Sequence, residues 1–309
     1  MLEGMFYKAK SFVRPVTQQR KLLERAKYAG TKILSPQEGN DLLARLVHHP
    51  AAIGKFGRSE LVALRHYLRR ADSSGHCESW GSHATLLYRN AGVYPPEPAI
   101  LSRFCRTFLE TLAHLDVLAV YFNWKENAVR RRFAPKATVT APRALEPYYH
   151  WRPWSQQLAR KRVLVVSPFA ETIQAQYGRR REVWPAKPEL LPDFELRTLR
   201  VPLFACLNTA EYPDWFAALD AMREQMAAVP FDVAIVGAGA WSIPLVTHAK
   251  SLGACAIHIG GATQILFGVK GRAWEKDKHF AALFNEAWTR PSARETPQGV
   301  QRIEDGRYW

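Results

Sequence analysis

Residues 231–269 constrain the fold most. Asp232 and Lys250 are the only charged residues in that stretch. It reads as a strand at Val233–Val236, a glycine turn at Gly237–Gly239 and a helix from about Ser242 to Leu252. A second strand, Cys255–Ile259, ends in Gly260-Gly261. Short apolar runs bounded by glycine on both sides of a helix mark a parallel βαβ unit. Sheets of this kind bind ligands at the carboxyl ends of their strands, where these glycines fall.

Two readings of the glycines stand side by side. Gly237 and Gly239 can let backbone approach a phosphate or sugar, with the free N–H groups of the following helix facing it. They can equally be ordinary turn glycines of an α/β core. The dinucleotide fingerprint is not met. Ser242 stands where its third glycine belongs, and the second strand ends in His258-Ile259-Gly260-Gly261 without an acid for a ribose. NAD and FAD are therefore disfavoured.

Two further segments repeat the strand-turn-helix pattern. Residues 51–56 form a short apolar strand, Gly57 closes it, Ser59 can cap, and 60–70 read as an amphipathic helix. Glu60 thus falls in the first turn of a helix directly after a strand. It is either a carboxylate favoured by the helix dipole or a catalytic and ligand-binding one. In 161–184, Val163–Val166 is a strand, Ser167-Pro168-Phe169 a turn, and Ala170–Tyr177 a helix followed by Arg179, Arg180 and Arg181. Ser167 at the helix start suits an anion, and Arg179 can grip a phosphate bidentately. The alternative is a capped helix that ends in solvated arginines.

Elsewhere, Ser35-Pro36-Gln37-Glu38 carries a capping box. Residues 124–160, basic and rich in proline and aromatics, read as a long loop across the sheet. Glu146-Pro147-Tyr148-Tyr149 lies within it. His76, Cys77 and His83 match no zinc spacing.

Charge narrows the partners. The 309 residues carry a net +15, of which 1–32 hold +6 and 124–143 hold +5. Such concentration suits an anion: a nucleotide phosphate, an acidic lipid surface or nucleic acid. No nucleic-acid motif is present, so nucleic acid is not an expected partner. Residues 1–29 interleave apolar and basic side chains, as does a helix lying on an anionic membrane surface or one packed on the protein with its charges outward. No segment resembles a signal peptide and no apolar run reaches 18 residues. The four cysteines form no CxxC pair, which fits a reduced, cytoplasmic protein.

Three segments resemble the glycosyltransferase-D fold proteins found with bacterial capsule and surface-polysaccharide genes. Ile53-Gly54-Lys55-Phe56-Gly57-Arg58-Ser59-Glu60 is similar to the family's Arg-Tyr-Gly-Asp-Gly-Glu segment, whose acid pair is associated with metal and nucleotide sugar. Gly237–Gly261 is similar to its late glycine turn, helix and Ile-Gly strand. Glu146–Tyr149, Val163–Tyr177 and the tail Trp274–Trp309 resemble a subgroup of capsule-cluster proteins. One departure matters: Arg58 stands where the family has Asp. The resemblance therefore assures no manganese or magnesium site, because a divalent cation wants several oxygen ligands.

The resemblance implies a Rossmann-like, mostly parallel α/β sheet with helices on both faces. The expected divisions are a basic helical extension at 1–50, a core at 51–269 and an aromatic tail at 270–309. It implies a cytoplasmic glycosyltransferase, peripheral at the inner face of the membrane, that moves a sugar from a nucleotide-sugar donor to a polysaccharide or lipid-linked acceptor. Glu60 is the first candidate for the base, with Glu146 or Glu171 in reserve. Gly57, Arg58, Ser59, Ser167, Arg179, Gly237, Gly239, His258, Gly260 and Gly261 are the candidates for holding the donor. A binding protein without turnover is the alternative.

Overall fold

A computed structural model describes residues 18–202, 205–207 and 210–309. The first seventeen residues of the basic arm expected at 1–29 lie outside them.

The described residues form one all-parallel, eight-stranded sheet with helices on both faces. Its strands are β1 (Ile33–Leu34), β2 (Ala51–Lys55), β3 (Val117–Ala119), β4 (Thr138–Thr140), β5 (Arg162–Ser167), β6 (Glu195–Arg200), β7 (Val233–Val236) and β8 (Cys255–His258). They lie in the order β1-β4-β3-β2-β8-β7-β5-β6. The βαβ unit read from 231–269 is β7, the helix Ser242–Ser251 and β8, with Val233 in register with Cys255.

The sheet is apolar on both sides because both are covered. Along β2, β5, β7 and β8, successive residues alternate between two cores. Ala52, Leu164, Val166, Ala234 and Ala256 belong to one, which the helices Arg58–Arg70, Pro98–Leu112 and Trp215–Ala227 complete. Ile53, Val163, Val165, Ile235 and Ile257 belong to the other, with the helix Pro36–Leu46, the helix Ala170–Gly178 and the aromatic tail. Trp215 and Trp241 stack at 6.0 Å and anchor the first core, where both are fully buried.

The segment 124–160 is not a loop. It contains a helix, Glu126–Phe133, then β4, then short 3₁₀ turns that carry Glu146. The helix escapes a periodicity reading because its basic run has a narrow apolar stripe. The boundary drawn at residue 50 falls inside the layered core, since β1 joins the sheet and Leu43 is fully buried beneath it. The capping box at Ser35 forms, with the Ser35 N–H donating to Glu38 Oε2 at 2.8 Å. Among the described residues no helix is long and apolar enough to cross a membrane.

The order of strands matters for the site. From β2 the chain moves outward to β3 and β4. After β5 and β6 it returns through β7 to β8, which settles beside β2. The two halves meet at the β2/β8 junction, the place where an open parallel sheet leaves a crevice at its strand ends.

Candidate active site

A cleft of about 520 Å³ opens at that junction. It is lined from the carboxyl ends of β2, β3, β5, β7 and β8, by the Glu146 turn, and by the tail. Among the sequence candidates Glu60, Glu146, Gly57, Arg58, Ser59, Ser167, Gly237, Gly239, His258, Gly260 and Gly261 all line it.

Arg179 does not. It follows the far end of the Ala170–Gly178 helix and pairs with Glu182 at 2.9 Å. Arg180 pairs with Asp193, and Arg181 donates to the Pro188 carbonyl. The arginine run is a solvated helix end, as its local sequence equally allowed.

The anion expected at the N-terminus of that helix is one of the protein's own side chains. The buried Glu295 carboxylate accepts the Glu171 N–H at 2.7 Å, the Thr172 N–H at 3.2 Å and the Thr172 hydroxyl. Ser167 meanwhile turns inward and accepts the Phe169 N–H at 3.2 Å. The helix terminus is thus already neutralised. No local pattern signals this, because the partners stand more than a hundred residues apart in the chain.

Glu60 occupies the first turn of the Arg58–Arg70 helix and is 7% exposed. Its carboxyl folds back over Gly57, and any Cβ at 57 would collide with all three carboxyl atoms. Burial is the main reason its pKa rises to about 7. The Glu304 charge adds to the rise, while its own backbone N–H and Lys55 oppose it. Glu146 is also pushed up by burial, against the pull of Lys55 and of the Tyr148 hydroxyl it accepts.

His258 is held neutral. Burial first, then Lys55, brings its pKa down to about 3. Its Nδ1 lies 3.1 Å from the Val236 carbonyl, an acceptor, so Nδ1 carries the proton and Nε2 keeps its lone pair.

Lys55 joins these groups and was absent from the sequence candidates. As the last residue of β2 it reads as a strand end. In the fold its ammonium donates to the Tyr121 hydroxyl at 3.3 Å and stands 3.1 Å from the point where a Cβ on Gly260 would be. It bears electrostatically on Glu60, Glu146 and His258 together.

The tail supplies the remaining wall. Glu304 accepts from the Tyr308 hydroxyl at 2.9 Å and from Arg307 at 3.2 Å. The Tyr308 carbonyl accepts from Gln264 at 2.8 Å, and the rings of Trp274 and Tyr308 lie over Gly261. Trp309 donates its indole N–H to the Glu295 carbonyl at 2.8 Å, so one short segment ties the tail both to the cleft and to the helix it caps. These residues sit in irregular 3₁₀ turns, which leave no periodic signal. Gly237 is glycine for packing: a Cβ there would stand 2.8 Å from the Gly260 carbonyl and from the Thr263 hydroxyl.

The donor set does not suit a resident manganese or magnesium ion. Among the described residues no group of three or more His, Cys, Asp or Glu side chains converges. A cation, Lys55, already lies among Glu60, Glu146 and His258, and Arg58 adds a second positive charge to the lining.

No protein-family model matches the chain, and no curated protein matches it. Among solved structures it is similar to one described as "The highly conserved domain of unknown function 1792 has a distinct glycosyltransferase fold". The identity is 14%, over 89% of this chain and 96% of that one, with a TM-score of 0.46. A selenomethionine-substituted structure of domain of unknown function 1792 is similar at 13% identity and a TM-score of 0.45, over the same shares.

Proposed function

We propose that this chain is a glycosyltransferase that takes a sugar from a nucleoside-diphosphate donor and passes it to an acceptor hydroxyl. The observation that carries the reading is a buried carboxyl, Glu60, lining one cleft with the Lys55 ammonium at the carboxyl ends of parallel strands.

The chemistry assigns each group a task. The bond between the sugar C1 and the diphosphate oxygen breaks, and a bond from C1 to the acceptor oxygen forms. The acceptor loses its proton to Glu60, whose pKa near 7 suits a base at neutral pH. Negative charge grows on the leaving diphosphate, and Lys55, Arg58 and Arg307 line the cleft to meet it. The neutral His258 and Glu146 offer acceptors for sugar hydroxyls. The aromatic rings of Trp274 and Tyr308 suit the apolar face of a sugar or base.

The acceptor class, a polysaccharide or lipid-linked glycan of a bacterial surface, is supported by the resemblance of residues 53–60 and 237–261. The direct test is transfer from a panel of nucleotide sugars by the wild-type protein and Glu60→Gln. Turnover lost in a folded Glu60→Gln protein supports the role, and full turnover refutes it. A second reading, donor binding without turnover, is favoured by Arg58 alone, which stands in the place of the family's acid. It predicts stabilisation by a nucleotide sugar with no product from either protein.

A further inference from the structure

The two basic segments of the sequence, separate in the chain, meet on one surface. The helical stretch 18–26 packs against the loop that leads from β3 into the Glu126–Phe133 helix. Glu24 is fully buried there and accepts the Asn127 N–H at 3.2 Å. Tyr28 meets Phe122 edge-on at 5.4 Å, and the Lys27 ammonium lies 4.2 Å above the Trp124 ring.

The outer side of this assembly is both greasy and cationic. Leu22 is 66% and Leu23 60% exposed, the most exposed leucines among the described residues, and Trp124 is exposed on the loop against which Lys27 packs. Arg20, Lys21, Arg25 and Lys125 are exposed on the same two segments. Glu24 lies beneath and is engaged by Lys27 at 2.9 Å and by the Asn127 N–H.

The Arg58–Arg70 helix extends the surface. Burial and the charge of Arg69 lower the Arg65 pKa, Glu24 opposes them, and Arg20 adds a smaller push in the same direction as Arg69. The Nε of Arg65 is buried and has no hydrogen-bond partner. Arg69 and Arg70, in the last turn of that helix, are exposed and add positive charge to the surface.

We propose that this surface docks on an anionic lipid bilayer. Phosphate headgroups would meet the arginines and lysines, the two leucines would enter the acyl boundary, and Trp124 would sit at headgroup level. A nucleic acid would meet the charges but has no use for adjacent exposed leucines, so the lipid surface is the occupant the observations favour. The placement has a consequence for the cleft. Asn123 lines it and Trp124 is the next residue, while Glu126 fixes the loop by accepting the Asn123 N–H at 2.8 Å and the Tyr121 N–H at 3.0 Å. Docking therefore sets one wall of the cleft beside the membrane. The surface stands on its own evidence, whatever the cleft transfers.

Vesicle co-sedimentation of the full chain tests this. Vesicles of phosphatidylcholine alone are compared with vesicles containing about a quarter phosphatidylglycerol, at low and high salt. Partitioning onto the anionic vesicles should be at least about tenfold stronger and should weaken with salt. The double variant Leu22→Gln, Leu23→Gln should lose about tenfold in partitioning while its melting temperature stays put, because both side chains are already in water. Arg69→Gln should lower the anionic preference. Equal partitioning onto neutral and anionic vesicles would overturn the proposal. So would unchanged binding by the leucine variant, or a duplex oligonucleotide that displaces the vesicles and binds both proteins equally, which would mark a general polyanion surface.

Discussion

The Glu60 carboxyl occupies the space that a side chain at residue 57 would need. Gly57 is therefore a requirement of the carboxylate and not of the turn, whose φ of −70° at this position suits any residue. The strand β2 ends, the chain turns without a Cβ, and the first turn of the next helix folds an acid back into the crevice. Substitution at 57 acts on Glu60 by steric force.

Gly57→Ala should thus mimic damage to Glu60 with little loss of fold. Displacing a reacting group by about an ångström costs roughly a hundredfold in rate. We expect a fall of about that size in transfer and a melting temperature close to wild type. A Gly57→Ala protein with wild-type turnover would show that the Glu60 position is not critical.

Glu60 also gives stability a pH dependence of known sign. Its pKa in the folded protein is about 7, above its ordinary value, as is that of buried Glu126. Between about pH 4.5 and 7 the folded protein holds protons that the unfolded chain has released. Stability from these groups is present at low pH and is lost as pH rises through 7. Glu60→Gln removes one of the two. Urea unfolding at pH 5.5 and pH 8 should show the variant losing less stability than wild type across that interval, by roughly 1–3 kcal/mol. Parallel curves for the two proteins would contradict the assignment. Where wild-type transfer is measured, its rate should rise with pH toward a plateau above 7, as a base that must ionise requires.

Glu295 is predicted to be a folding residue. Glu295→Ala leaves two backbone N–H groups and the Thr172 hydroxyl without their acceptor. The expected cost is about 1–3 kcal/mol by denaturant unfolding. The backbone carbonyl of residue 295, which the substitution keeps, holds Trp309, so loosening this turn should make the C-terminal segment more sensitive to proteolysis. A variant as stable as wild type would mean that the helix terminus is satisfied by other means.

Lys55→Met tests the cation at the centre of the cleft. Removing the ammonium takes away a charge that holds down both Glu60 and Glu146, so each should gain protons more readily. The pH profile of transfer should move upward, and donor affinity should fall by roughly ten- to a hundredfold. An unmoved profile would separate Lys55 from the two acids.

The parts of this site that could be read from sequence are those built by short-range patterns. Glu60 and Gly57 follow from a strand, a glycine and a helix start in succession. The β7/β8 unit follows from two apolar runs bounded by glycine. What stayed hidden depends on long-range approach. Lys55 looks like the polar end of a strand until Tyr121 and Gly260 close around it. Glu304, Arg307 and Tyr308 lie in turns without period, and only the docked tail brings them to the cleft. Arg179 misled because a helix end rich in arginine looks the same whether it faces a phosphate or water. At Ser167, which lines the cleft, the anion the helix terminus demanded is Glu295, far along the chain.

In the proposed function Lys55 and Arg58 meet the charge of a nucleoside diphosphate, a task that a divalent ion performs elsewhere. Thermal unfolding with nucleoside diphosphates and nucleotide sugars, in a metal chelator or with manganese, tests it most directly in wild type and Lys55→Met. Ligand binding to the folded state raises its apparent stability with the logarithm of ligand concentration above Kd. One nucleotide sugar should stabilise the wild-type protein in chelator, manganese should add nothing, and Lys55→Met should lose the effect. Stabilisation seen only with manganese, or kept in full by Lys55→Met, would contradict it.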